Sequence, residues 1–147
     1  MSLAARLRFA FASLLLALAA ACERQPTPAP PVLAPVEQDH GRVQFEGMQP
    51  CADCEGIRTA LVLSRDAGER GFVLRETYLA PQPVEFVSRG KWRRQGTLLH
   101  LEGEDGARLV YAVLGGGRLQ PRDGQGRRLA TSDGDGLLMP VASGDAP

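Results

Sequence analysis

The chain has 147 residues, 17 basic and 17 acidic, so it carries no net formal charge. A nucleic-acid partner, which needs a basic surface, is therefore not expected. The length suits one small domain, and three cysteines turn the question to compartment.

The N-terminus answers it. Arg6 and Arg8 form a positive n-region, and an uncharged, mostly apolar run follows from Phe9 to Ala21. The run is shorter than the roughly 20 apolar residues a spanning helix needs, and it reads as a signal-peptide h-region. It ends Leu18-Ala19-Ala20-Ala21-Cys22, which resembles the bacterial lipobox, with Ala19 where leucine is commoner. Residues 1–21 are then a lipoprotein leader, and Cys22 is the acylated first residue of the mature chain. The competing reading, a plain secretory signal, would leave Cys22 as an unpaired thiol in an oxidising compartment. Acyl chains on one cysteine hold a protein to a membrane when more than one is present. Glu23 stands where an aspartate would signal inner-membrane retention in enteric bacteria, so the expected location is the outer membrane, with the domain facing the periplasm. Removing the two leader arginines leaves 15 basic residues against 17 acidic ones.

Residues 22–40 contain Pro26, Pro28, Pro30, Pro31 and Pro35. Such a run favours extended polyproline-like backbone and reads as a tether. The domain is expected over residues 41–147, with a small, polar tail from Ala142.

That domain opens on Pro50-Cys51-Ala52-Asp53-Cys54-Glu55-Gly56, a short tight loop whose two thiols can close a disulfide or hold a soft metal ion. Period-two alternation follows. Residues 42–46 alternate through Val43 and Phe45. Residues 59–63 place Thr59, Leu61 and Leu63 on one face. Residues 72–79 set Phe72, Leu74, Glu76 and Tyr78 opposite Val73, Arg75, Thr77 and Leu79. Phe86, Ser88, Gly90 and Trp92 share a face, which puts Phe86 and Trp92 in the expected core beside Phe72 and Tyr78. Further strands are expected at Leu99–Leu101 and Leu109–Val113, and weaker ones near Leu119, Leu129 and Leu137-Leu138. Asp66-Ala67-Gly68, Glu104-Asp105-Gly106, Gly115-Gly116-Gly117 and Asp123-Gly124 supply the turns. The expectation is an all-β, antiparallel up-and-down meander of about seven to nine strands, closed into a small barrel. Gly90 fits a strongly bent strand, and Trp92 would plug one end.

The run Gln49-Pro50-Cys51-Ala52-Asp53-Cys54-Glu55-Gly56-Ile57-Arg58-Thr59, with Phe72 to Tyr78 and Gly90-Lys91-Trp92 behind it, resembles the N-terminal domain of NlpE-type lipoproteins. The resemblance covers roughly Val43 to Asp123. It implies a lipocalin-like barrel, links to copper tolerance and envelope stress through a Cpx-type pathway, and an envelope-stress sensor protein as partner. Full-length members carry a second, OB-like domain, and the expectation here is of the first domain alone.

Three readings of the cysteine pair stay open. Cys51 and Cys54 can form a structural disulfide. They can bind Cu(I) as thiolates, with Met48 as a thioether ligand. Or they can act in a thiol–disulfide oxidoreductase, against which Asp53 and Glu55 argue because they disfavour a thiolate. A further rival function is a lipocalin-like carrier of a small apolar ligand. Arg89, Lys91, Arg93 and Arg94 make a basic strand face, read as edge protection or as an anionic-lipid or partner site. No catalytic set stands out, so an enzyme is not expected.

Overall fold

A computed structural model describes Leu33, residues 40–129 and residues 136–141. The leader, Cys22 and most of the proline-rich segment lie outside the described residues. The strands are β1 (His40–Gln49), β2 (Gly56–Asp66), β3 (Glu69–Leu79), β4 (Val84–Gln95), β5 (Leu98–Gly103), β6 (Arg108–Val113), β7 (Leu119–Arg122) and β8 (Met139–Val141). They form one antiparallel sheet in the order β7-β6-β5-β4-β3-β2-β1-β8. A bridge between Leu119 and Leu138, with a 2.9 Å backbone hydrogen bond in each direction, joins the two ends. The meander expected from the alternation is thus a nearly closed eight-stranded barrel.

The strands form where period-two alternation meets a turn. Between β2 and β3, Ala67 (φ 47°) and Gly68 (φ 89°) take the two left-handed positions of a tight hairpin, whose twist matches the flanking strands. The first four strands run longer than the alternating segments suggested, because the ladder continues through polar ends such as His40↔Asp66 and Asp66↔Glu69.

Inward residues fall into rows across the sheet. Phe45, Leu61 and Leu74 are direct cross-strand partners, and none is more than 1% exposed. Val43, Leu63 and Phe72 form the next row, followed by Gly90 and Gly103. At Gly90 a Cβ would run into the carbonyl oxygen of Glu102, so only glycine lets β4 and β5 approach this closely. Trp92 is buried below that row, at 4% exposure. Its indole N–H donates to the Ser64 carbonyl at 2.9 Å, and the Arg70 guanidinium lies 5.0 Å from its ring centroid. A large aromatic with its one polar atom satisfied closes this part of the core.

Several expectations need correction. Phe86, expected in the core, is 55% exposed. Its phase is inward, opposite Glu76, but β5 pairs with β4 only from Gly90 onward, so no neighbouring strand covers it. Tyr78 is only half-buried and packs edge-on against Phe86 with centroids 5.4 Å apart. No strand forms at Leu129, which is 48% exposed and follows a lone Arg122↔Arg128 bridge. Leu33, in the expected tether, is 3% exposed and belongs to the core cluster.

Trp92→Ala should destabilise the domain by about 3–5 kcal/mol, the usual cost of removing a large buried aromatic. Urea unfolding followed by circular dichroism measures it, and a loss below about 1 kcal/mol would contradict this packing.

Candidate functional site

The hairpin β1–β2 pairs up to Gln49↔Ile57, and residues 50–55 cross between the strands. Pro50 fixes the entry backbone, and Gly56 at φ 152° takes a conformation that side chains rarely adopt. Between them Cys51 and Cys54 form a disulfide, with S–S 2.06 Å and Cα–Cα 5.4 Å. Of the sequence readings, this is the one present. Cys54 Sγ lies 3.4 Å from the Gly56 carbonyl oxygen, which is a contact only, since a disulfide sulfur has no proton to donate.

Two bonds fix the loop to its surroundings. The Glu55 N–H donates to the Leu79 carbonyl at 3.0 Å, and Gln49 Nε2 donates to the Gly136 carbonyl at 2.8 Å. A shallow recess separates Asp53, Cys54 and Glu55 from Leu79, Ala80 and Pro81.

Met48 is 48% exposed. Its sulfur lies against Gly56, so that a Cβ on that glycine would come within 2.9 Å of Sδ. Met48 and Cys54 therefore both border Gly56. Among the described residues no group of three or more His, Cys, Asp or Glu could hold a metal ion. Any metal here would depend on the two sulfurs, and only after reduction. His40 pairs with Asp66 at 2.9 Å.

Beside the loop, Val84, Phe86 and Val87 are 50%, 55% and 37% exposed. The row running toward them is Gly47, Thr59, Glu76 and Phe86. Thr59 is fully buried and Glu76 half-buried. Burial pushes the Glu76 carboxyl above its ordinary value. Burial, and then the Glu76 charge, push the Tyr111 hydroxyl well above its own. A single half-buried carboxyl thus lies beside the exposed Phe86.

Two cations of the basic face are paired with carboxylates. Lys91 pairs with Glu69 at 3.0 Å and Arg93 with Glu102 at 3.7 Å, while Arg94 Nε donates to the Gly96 carbonyl at 2.9 Å. Exposed pairs of this kind contribute little stability.

The sequence model of the NlpE N-terminal domain matches residues 45–132. The chain belongs to this family. It is 38% identical over 73 residues to the lipoprotein NlpE of Escherichia coli K12, covering 48% of this chain and 30% of that one. Its fold matches the crystal structure of the Cpx pathway activator NlpE from Escherichia coli with TM-score 0.54 and 34% identity, over 62% of this chain and 47% of that chain. A putative lipoprotein from Shewanella oneidensis matches with TM-score 0.49 and 30% identity, over 65% and 84%. The chain spans less than half the length of the Escherichia coli relative. None of these names denotes an enzyme. The NlpE domain here is all-β, with the cysteine pair at the tip of its first hairpin.

Sequence reasoning placed Glu76 on the face of Phe72 and Leu74 without giving it a role, and it missed the exposed stretch of β4. That stretch could have been found from length: the segment after Thr97 reaches a turn at Glu104, too soon to cover a twelve-residue strand.

The Glu76 shift has a testable sign. Its folded value lies above its unfolded one, so the folded state holds the proton longer, and stability falls as pH rises from the unfolded toward the folded value. Glu76→Gln should remove that fall and leave the domain more stable than wild type at neutral pH. Melting temperatures from pH 4 to pH 8 check it, and parallel profiles for the two proteins would contradict it.

Proposed function

We propose that this protein is an outer-membrane lipoprotein that reports the copper and redox state of the bacterial envelope to a stress-sensing partner. Cys22 carries the lipid, and the proline-rich residues before Leu33 serve as the tether. The observation that carries the reading is the Cys51–Cys54 disulfide at an exposed hairpin tip. The Cpx activator title of the Escherichia coli relative supplies the signalling side of the reading.

The chemistry is simple. An envelope dithiol reduces the disulfide, passing two electrons and two protons to the sulfurs and becoming a disulfide itself. Cu(I) then displaces the two protons and is held by two thiolates, the soft ligands it prefers. A Cα–Cα distance of 5.4 Å keeps both sulfurs within reach of one ion. Met48, against Gly56 at the loop exit, is the nearby soft donor that could complete the set. The exposed Val84 and Phe86 give a partner an apolar surface at the start of β4, which follows the turn that faces the loop.

A carrier function fits less well. The interior positions of Phe45, Leu61, Leu63 and Leu74 are occupied by side chains exposed by 1% or less. An oxidoreductase would need cations or a helix N-terminus to stabilise a thiolate, and the loop instead carries Asp53 and Glu55.

The double variant Cys51→Ser, Cys54→Ser should keep the fold and lose tight Cu(I) binding, because hydroxyls are hard ligands. Competition against a chromophoric Cu(I) chelator under reducing conditions decides it, and equal affinity in both proteins would remove the copper reading. Cys22→Ala should move the protein from membranes to the soluble envelope fraction, and retention after salt washing would remove the lipid anchor.

A further inference from the structure

The meander gives the barrel two distinct ends. The start of β1 and the turns β2–β3, β4–β5 and β6–β7 lie at one end, and the cysteine loop with the turns β3–β4 and β5–β6 lies at the other. Charge follows this division. The first end comprises residues 40–42 and its three turns with two flanking residues each. There Arg42, Arg65, Arg70, Arg94 and Arg118 stand against Asp66 and Glu69. Both acids are engaged, Asp66 with His40 at 2.9 Å and Glu69 with Lys91 at 3.0 Å. Arg42 and Arg94 are exposed, and Arg42 has no hydrogen-bond or ion-pair partner among the described residues. At the other end the cysteine loop carries Asp53 and Glu55, and the β5–β6 turn carries Glu104 and Asp105.

The chain from Cys22 arrives at the basic end, because His40 opens β1 there. Leu33 is held earlier still, buried in the core cluster. Eleven residues separate it from Cys22, a span of at most about 40 Å when fully extended. Counted to His40 instead, the free segment would be eighteen residues. The buried leucine therefore shortens the leash.

We propose that the basic end of the barrel docks on the anionic phospholipid headgroups of the leaflet that holds the Cys22 acyl chains. The inference rests on the lipid anchor of the preceding subsection. Charge complementarity and the short leash select this partner. Guanidinium groups donate to phosphate oxygens in a planar fork. Their attraction to an anionic leaflet fades within a Debye length, about 8 Å at physiological salt, so it acts only on an end already held near the surface. Asp53 and Glu55 are repelled by the same field. Docked this way, the Cys51–Cys54 loop and the exposed start of β4 face away from the bilayer, where a partner can reach them.

Hydrogen exchange of the acylated mature protein tests it, in vesicles of phosphatidylethanolamine with phosphatidylglycerol and in vesicles of phosphatidylcholine alone. Amides of residues 94–98 and 114–118 should exchange about threefold more slowly or more on the anionic vesicles, with residues 51–55 unchanged. High salt should remove the difference. The double variant Arg42→Glu, Arg94→Glu should abolish it. The double variant Arg58→Glu, Arg108→Glu makes the same charge change at the other end and should retain it, and both should keep native circular dichroism. Equal exchange on the two lipids overturns the proposal, as does equal loss in the two variants. The anchor is tested apart. Cys22→Ala, which lacks it, should still sediment with anionic but not neutral vesicles at about 20 mM salt. Its failure to do so overturns the docking surface, whereas a wild type that salt washing strips from membranes overturns the anchor.

Discussion

The structure depends on how far each strand can be paired. Strand β4 runs twelve residues, and β5 beside it runs six. The paired half is the core. There Gly90 admits the Glu102 backbone, Trp92 lies beneath, and Leu99 and Leu101 fill the interior. In the unpaired half, side chains with inward phase meet solvent. Exposure rises along one row, from Thr59 at 0% to Phe86 at 55%, so the barrel opens sideways toward β4. The same shortfall places Glu76 where its carboxyl is partly desolvated and still within reach of water.

The disulfide is not what holds this fold. Closing a four-residue loop is worth about 2 kcal/mol by the chain-entropy relation. The β1–β2 ladder already fixes the register over its whole length, from His40↔Asp66 to Gln49↔Ile57, and Gln49 and Glu55 are tied down separately by hydrogen bonds to Gly136 and Leu79. A crosslink that adds little to a ladder already fixed can open and close without unfolding the domain. That is the condition a redox-responsive loop must satisfy, whereas a crosslink essential to folding could not be used this way.

Much of the fold was legible because alternation fixes phase. Thr59, Leu61 and Leu63 do share the inner face, and Phe72, Leu74 and Glu76 do line up on the next strand. Phase is a property of one strand, however, and burial is a property of its neighbours. Phe86 has the inward phase its pattern suggested and is exposed all the same, since its cover depends on where β5 ends. Leu33 fails for the opposite reason. Its own neighbourhood is proline-rich and cannot form a core, yet a single leucine can be buried against a core that other residues build. The cysteine pair was legible as a pair, while its oxidation state was left open by spacing and became definite only with the loop geometry.

The placement of the exposed β4 stretch beside the cysteine loop ties these features together physically. Glu55 donates to Leu79, and Leu79 ends the strand whose preceding residue, Tyr78, pairs with Val84 and packs against Phe86. The path from Glu55 to the first residues of β4 is therefore one backbone bond, two residues of β3 and one ring contact. A change in loop backbone on reduction would act first on the Glu55–Leu79 bond, and through Tyr78 on the ring that dominates the exposed surface. Phe45, Leu61 and Leu74 are buried in the close-packed core behind it. Leu79 and Tyr78 are thus the β3 residues that connect the cysteine loop to the exposed part of β4.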